Sequence, residues 1–349
     1  MRCDEQISDA VVSDCRRTAG RERLKGTVLS SSLLSSSAIL GLLTIPGDVI
    51  WSYSVAGVVL AIGLIVTLLR DDWARARGWD KLILLGPPFY AAPLAAFGTE
   101  HFTRADAIAS IVPEWIPFHH FWAYFVGACF ILAPLSIVTR IQARLAASLL
   151  ALTFFLFVVL MDIPAWAQDP RDRFALTLVL RELAFSGGAL ALAASLGTAR
   201  RERGTDTLAT IARYFVAIPI VVFAVEQFMH GDHVPGVPLN RLTPGYVPGH
   251  AIWTYLTAVV YALAGSLLLV GKKTRAAATV LGAMVLLVVL VVYVPIGIVD
   301  RASLDTGFNF LADTLMFCGA ILLLAAAMPR DASLPEPAEG SLQRMAAKP

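Results

Sequence analysis

The sequence predicts an all-α polytopic membrane protein of about ten transmembrane helices, built as two tandem, parallel four-helix bundle units preceded by two extra helices. Three observations predict it. The 349 residues are 57% hydrophobic and only 15% charged, a composition that excludes an ordinary water-soluble globule. A stretch near the middle of the chain recurs 131 residues later. Lys and Arg alternate between rich and poor loops, as expected when successive loops lie on opposite sides of a bilayer.

Residues 1–27 form a polar tail that ends in Arg16, Arg17, Arg21, Arg23 and Lys25. The serine-rich apolar segment Val28 to Ile45 follows. It is long for a signal-peptide core and lacks an Ala-x-Ala cleavage pattern, so it reads as a first transmembrane helix rather than a removed leader. Val49 to Leu69 has the roughly twenty residues that cross about 30 Å of hydrocarbon. The linker from Arg70 to Lys81 completes a region, 28–81, of two N-terminal helices and a basic connection. Eight further apolar segments lie near 82–103, 119–138, 145–161, 174–196, 208–229, 251–270, 276–296 and 308–328. They fall into a first four-helix unit, 82–203, and a second, 204–329. Residues 330–349, rich in Pro, Glu, Ala and Lys, predict a disordered tail. On this arrangement 22 of the 28 Lys and Arg fall on one side and 5 on the other, which predicts a plasma (inner) membrane protein of bacterial type with both termini cytoplasmic.

The recurring stretch is Pro113-Glu114-Trp115-Ile116-Pro117-Phe118-His119-His120-Phe121-Trp122-Ala123-Tyr124, echoed from Pro244 to Tyr255 with both prolines, His250, Trp253 and Tyr255 retained. The preceding segment Pro93 to Phe102 aligns with Pro219 to Phe228 at an offset of 126, so Glu100 matches Glu226. The offset then grows through extra residues in the loop around Gly231 to Asn240. At 131, Pro164 matches Pro295, Glu182 matches Asp313, and Gly188-Ala189 matches Gly319-Ala320. Units of four helices keep the same orientation, so the repeats are parallel rather than inverted.

The candidate catalytic or relay residues are the recurring polar groups Glu100, His119, Glu182, Glu226, His250 and Asp313. Glu182 lies about eight residues, or roughly 12 Å, into its helix, where an ionisable side chain is costly unless it faces a cavity or a partner. His119 and His250 follow Pro117 and Pro248 in the first turn of a helix, and an imidazole there can donate one hydrogen bond and accept another. Trp122 and Trp253 are candidate walls for a planar ligand, and an interfacial aromatic belt would place Trp and Tyr at the same level. Arg181 has no counterpart, Ala312 standing in its place. Adjacent helix positions do not face each other, so Arg181 is not expected to pair with Glu182, and Asp162 at the end of the preceding helix is a possible partner. Gly187, Gly188 and Gly319 are expected to serve close helix packing. Cys3, Cys15, Cys129 and Cys318 show no metal-ligand spacing, and no metal site is expected.

These marks resemble the DoxX-like integral membrane proteins: Phe97-Gly98-Thr99-Glu100-His101-Phe102 at the end of a first helix, the proline-rich loop and aromatic helix from Pro113 to Tyr124, and Glu182 to Ala189. The second copy keeps Phe223, Glu226, Phe228, His250, Trp253 and Tyr255 and replaces the histidine after the glutamate by Gln227. The resemblance covers residues 82–328 and implies an association with quinone redox chemistry, with quinone as ligand and redox-complex subunits as partners beside the lipid bilayer. No nucleic-acid partner is expected. On that reading His119 or His250 donates to a quinone oxygen, Glu100 or Glu226 relays a proton, and Trp122 or Trp253 forms the wall. A small-solute transporter or channel between the units, with Glu182 and Asp313 facing the path, is the alternative. A structural membrane partner without chemistry is the third reading.

Overall fold

Apolar side chains all round a segment leave its backbone polar groups nothing to bond in hydrocarbon except each other, so such segments become helices. The computed structural model describes residues 45–197, 203–237 and 241–330. The expected helix 28–45 and the tails 1–27 and 330–349 lie, apart from Ile45 and Arg330, outside them. The chain divides into a unit Met1–Gly47, almost wholly outside the described residues, and a unit Asp48–Pro349.

Among the described residues nine helices are long and apolar enough to cross a membrane, and the chain is an integral membrane protein. They are α1 (Gly47–Leu68), α2 (Trp79–Thr103), α3 (His119–Thr139), α4 (Ala143–Gln168), α5 (Arg173–Ser195), α6 (Thr207–Met229), α7 (His250–Val270), α8 (Thr274–Val299) and α9 (Leu304–Ala327). No strand occurs among the described residues, where the only β feature is a bridge between His233 and Leu242. Large apolar side chains such as Ile65, Leu132, Leu149, Leu263 and Leu290 point outward, which in this setting means toward lipid.

Two helices run longer than their apolar segments predict, for one reason. In α4 the residues Val158–Asp162 form a π turn, and in α8 the residues Val289–Tyr293 do the same, each just before a helical segment with Pro164 or Pro295 in its first positions. Proline has no N–H to give the preceding turn, and a widened turn accommodates its ring while the helix continues. The consequence for function is local: the bulge in α4 turns Leu160, Met161 and Asp162 toward the interior.

The centre of the bundle is α5 against α9. Helix α5 also packs on α4 and α6, and α9 on α8 and α2, while α2 packs on α3 and α6 on α7. Small residues allow the close approach. A Cβ on Gly188 would lie 2.5 Å from Ala320 Cβ, and one on Gly319 would lie 2.4 Å from the backbone nitrogen of Tyr90. The same interface holds Tyr90, fully buried, whose hydroxyl donates to the Phe185 carbonyl at 2.9 Å. Helix α1 is tied on through Arg104, which reaches Asp48 at 3.0 Å and Asp305, on α9, at 2.7 Å.

Helices α3 and α7 begin on His119 and His250, and each follows a residue in left-handed backbone: Phe118 at φ 61° and Gly249 at φ 67°. Trp122 Nε1 donates to the Pro117 carbonyl at 3.1 Å, and Trp253 Nε1 to the Pro248 carbonyl at 3.2 Å. The recurring prolines and tryptophans therefore close the same capping loop in both places.

Candidate functional site

A cavity of about 780 Å³ lies among α2, α3, α4 and α5 beneath the 104–118 loop. Most of its wall is apolar: Phe97, Phe125, Phe130, Phe154, Phe157 and Phe185 contribute aromatic rings. Trp115, Trp122, Phe125 and Leu156 line it and are also exposed, so they mark the mouth, which opens past the loop and between α3 and α4. The opposite wall is polar, with Glu100, His101, Asp162, Arg181, Glu182, Asn309 and Asp313.

Each polar group arrives from a different element. Glu100 and His101 sit in the last turn of α2, and Asp162 on the π turn of α4. Arg181 and Glu182 come from mid-α5, and Asn309 and Asp313 from the start of α9. Arg181 Nη1 bonds Asp313 Oδ2 at 2.9 Å and Nη2 bonds Glu182 Oε1 at 2.8 Å. This corrects the expectation that Arg181 does not pair with Glu182. Neighbouring Cβ atoms diverge on a helix, but the arginine side chain is long enough to fold back, and the Asp313 carboxylate across the α5–α9 interface fixes where its guanidinium lies. Asn309 Nδ2 donates to Glu100 Oε2 at 3.3 Å.

The electrostatics are one-sided. Among the described residues four carboxyl side chains line the cavity and Arg181 is the only Lys or Arg that does, with its side chain 19% exposed and that of Asp313 6%. A buried ion costs several kcal/mol unless it is paired and hydrogen-bonded. Glu100 Oε1, Asp162 Oδ2, Glu182 Oε2 and Asn309 Oδ1 are nonetheless buried without a hydrogen-bond partner, as is Arg181 Nε. These atoms are free to bond water or a ligand within the cavity.

His101 adds one more group of defined character. Its Nδ1 is 2.7 Å from the Phe97 carbonyl oxygen. A carbonyl only accepts, so Nδ1 carries the proton and Nε2 of the neutral ring is an acceptor. Its ring packs edge-on against Phe130 at 5.5 Å on the cavity wall.

Of the candidate residues, Glu100, Glu182, Asp313 and Trp122 are brought together at this cavity. His119 is half-buried at the start of α3 and does not line it. Glu226 is held by Arg173 Nε at 2.7 Å, and His250 and Trp253 belong to the other half of the bundle. Asp162, Arg181, His101 and Asn309 complete the polar wall without having been among the candidates. For Asp162 and Arg181 the signal was available, since both are ionisable groups in apolar helices whose aligned positions carry Tyr293 and Ala312. Asn309 carries no such signal, as an amide near a helix start is ordinary.

The region of the second half aligned with the cavity is filled by its own loop. Val234 and Val237 are fully buried, and Gly236, at φ 94°, passes close to Thr314, Val288 and Tyr293. Tyr293, at the position aligned with Asp162, donates to the Pro235 carbonyl at 2.7 Å. Gln227, at that of His101, donates to the Gly236 carbonyl at 3.4 Å. Thr254 donates to the His233 carbonyl at 3.0 Å. Groups that face the cavity in the first half are thus spent on holding a loop in the second.

No group of three or more His, Cys, Asp or Glu side chains among the described residues has an arrangement that could hold a metal ion. The chain matches no protein-family model, and no curated protein or solved structure is significantly similar to it.

Proposed function

We propose that this chain is a DoxX-like, quinone-linked accessory subunit of a membrane redox system, and that the first of its two tandem units binds the lipophilic ligand. The observation that carries the reading is the cavity itself: an aromatic and aliphatic chamber, open at an apolar mouth, that ends on a wall of buried unpaired oxygens. Such a shape suits a molecule with a planar or prenylated body and a hydrogen-bonding head. Phe97, Phe130 and Phe154 flank the body, Trp122 stands at the mouth, and Glu100 with His101 meets the head. The tandem reading is supported by the two π turns, the two left-handed caps and the two Trp-to-proline carbonyl bonds, which fall on residues 131 apart. The bias of Lys and Arg toward alternate loops supports a reading in which both termini are cytoplasmic and the cavity lies toward the outer face of a plasma membrane of bacterial type.

Purification in a mild detergent followed by lipid extraction tests the reading, with one quinone per chain as the expected result. Absence of quinone, together with unchanged quinol-dependent activity in cells lacking the protein, overturns it.

A further inference from the structure

The cavity joins two features that each favour positive charge. Among the described residues four carboxyls line it, Glu100, Asp162, Glu182 and Asp313, against the single guanidinium of Arg181. Arg181 is committed to two of them, Glu182 at 2.8 Å and Asp313 at 2.9 Å. Glu100 and Asp162 have no ion-pair partner among the described residues, and each keeps a buried oxygen, Oε1 and Oδ2, that bonds nothing. Glu100 is only 8% exposed and lines the cavity, with the Asn309 amide donating to its other oxygen. Aromatic rings stand around these acids. Phe97 lies one turn before Glu100, and Phe130, Phe154 and Phe157 pack on one another with centroids 5.4 to 6.3 Å apart. The faces of such rings attract positive charge. The one cation on the wall already uses a ring in this way, its guanidinium carbon lying 5.9 Å from the centre of Phe185. Hydrogen bonding leaves the polarity of a ligand open, because Arg181 and Asn309 offer N–H groups beside the oxygens. Charge decides it: with acids in excess and rings that attract cations, positive charge is what the chamber lacks.

We infer that the cavity binds an organic cation with an apolar body, of the alkylammonium or arylalkylammonium class, and that it does so in exchange for a proton. This goes beyond the quinone reading and does not rest on it, although both ligands would use the same apolar walls. A carboxyl in an apolar chamber is kept neutral by a proton or balanced by a cation, and the two compete for it. The groups that face the exchange are Glu100 and His101 from α2, Asp162 from α4, Arg181 and Glu182 from α5, and Asn309 and Asp313 from α9. The residues of α3 and of the 104–118 loop that line the cavity are not titratable. Arg104, whose charge also acts on Glu100, is bonded to Asp48 and Asp305. The apolar body enters past Trp122, Phe125 and Leu156 at the mouth, and the charged head comes to rest between the rings and the two acids that lack an ion-pair partner. One of those acids gives its proton to solvent as the cation arrives, so the net charge of the chamber is unchanged.

The test is calorimetric titration of the full-length chain in detergent with three probes that share one apolar body and differ in charge: phenylbutyl-trimethylammonium, phenylbutanol and phenylbutanesulfonate. None of the three titrates over the range used, so any dependence on pH belongs to the protein. The ammonium is expected to bind at least about tenfold tighter than the alcohol near neutral pH. Its affinity should rise from about pH 5.5 to about pH 7.5, because removing protons frees the acids, while that of the alcohol stays level. Repeating the titration in buffers of different ionisation enthalpy should show about one proton released per cation bound. Glu100→Gln removes an acid at nearly constant shape and should lower the ammonium affinity at least about tenfold, with less proton release. The alcohol should bind that variant as it binds the parent, which shows the chamber intact. Asp162→Asn should act in the same direction and serves if the first variant does not fold. Ammonium binding no tighter than the alcohol, sulfonate binding tighter than the ammonium, or ammonium affinity that does not change with pH overturns the inference on the parent chain alone. Ammonium binding unaltered in both variants overturns the assignment to this wall. Each of these results leaves the quinone reading standing, since lipid extraction and the cells lacking the protein decide that separately.

Discussion

Arg181→Met removes the one Lys or Arg on the cavity wall and isolates its two anions. Methionine has about the same reach and no charge, so the change deletes electrostatics with little change in packing. Glu182 and Asp313, 12% and 6% exposed at their side chains, each lose a charged hydrogen bond of 2.8 and 2.9 Å. Breaking a buried pair by removing one partner costs roughly 3–5 kcal/mol. The two bonds share one guanidinium, so their losses do not simply add, and about 4 kcal/mol is the working figure. At about 2 °C per kcal/mol for a chain of this size, unfolding in detergent should fall by about 8 °C. Differential scanning fluorimetry at one fixed heating rate measures it. Arg181→Met with Asp313→Asn and Glu182→Gln removes both stranded acids together with their counter-ion and should regain at least half of the loss. A single variant within about 2 °C of the parent, or a triple variant no more stable than the single, would refute the claim that this triad is a buried, mutually dependent charge cluster.

Three other substitutions test other levels of the structure. Gly319→Ala drives a methyl to 2.4 Å from the backbone nitrogen of Tyr90, an atom that cannot rotate away, so α2 must move off α9. A loss of about 1–3 kcal/mol, read as a lower unfolding temperature, is expected, and an unchanged temperature would sink the close-packing account. Phe118→Gly should do the opposite. The phenylalanine is 79% exposed and sits at φ 61°, so glycine relieves about 1–2 kcal/mol of left-handed strain and gives up little packing. Tyr293→Phe leaves the buried Pro235 carbonyl without its donor at a cost of about 1–3 kcal/mol. It should loosen the loop that fills the second half, seen as faster hydrogen exchange at the Val234 amide, which is bonded to the Arg241 carbonyl.

The nine spans are legible in the sequence because the signal that marks them is local: a window of apolar residues either is or is not long enough to cross hydrocarbon. Their ends are less legible, and α4 and α8 show why. Asp162 and the prolines Pro164 and Pro295 suggest ends to the apolar segments, yet each helix continues through a π turn and past the proline. The repeated Pro-x-x-x-Pro and Trp pattern drew His119 and His250 into the candidate set, and in the structure its prolines and tryptophans close a helix cap. Recurrence in a sequence marks what folding needs as readily as what function needs.

Composition and charge spacing by themselves determined that this is a helical membrane protein, and they marked Glu182 and Asp313 as costly residues that need an explanation. Only the tertiary structure decided what the explanation is. Glu100, Arg181 and Asp313 are far apart in the chain and meet because Gly188 and Gly319 let α5, α9 and α2 approach within contact of their backbones. Packing likewise shaped the two loops: among the described residues the 231–237 loop buries Val234 and Val237, whereas a cavity lies beneath the 104–118 loop. Loop composition is no guide to that outcome, since whether a valine fills a chamber depends on the shape of helices contributed by distant parts of the chain.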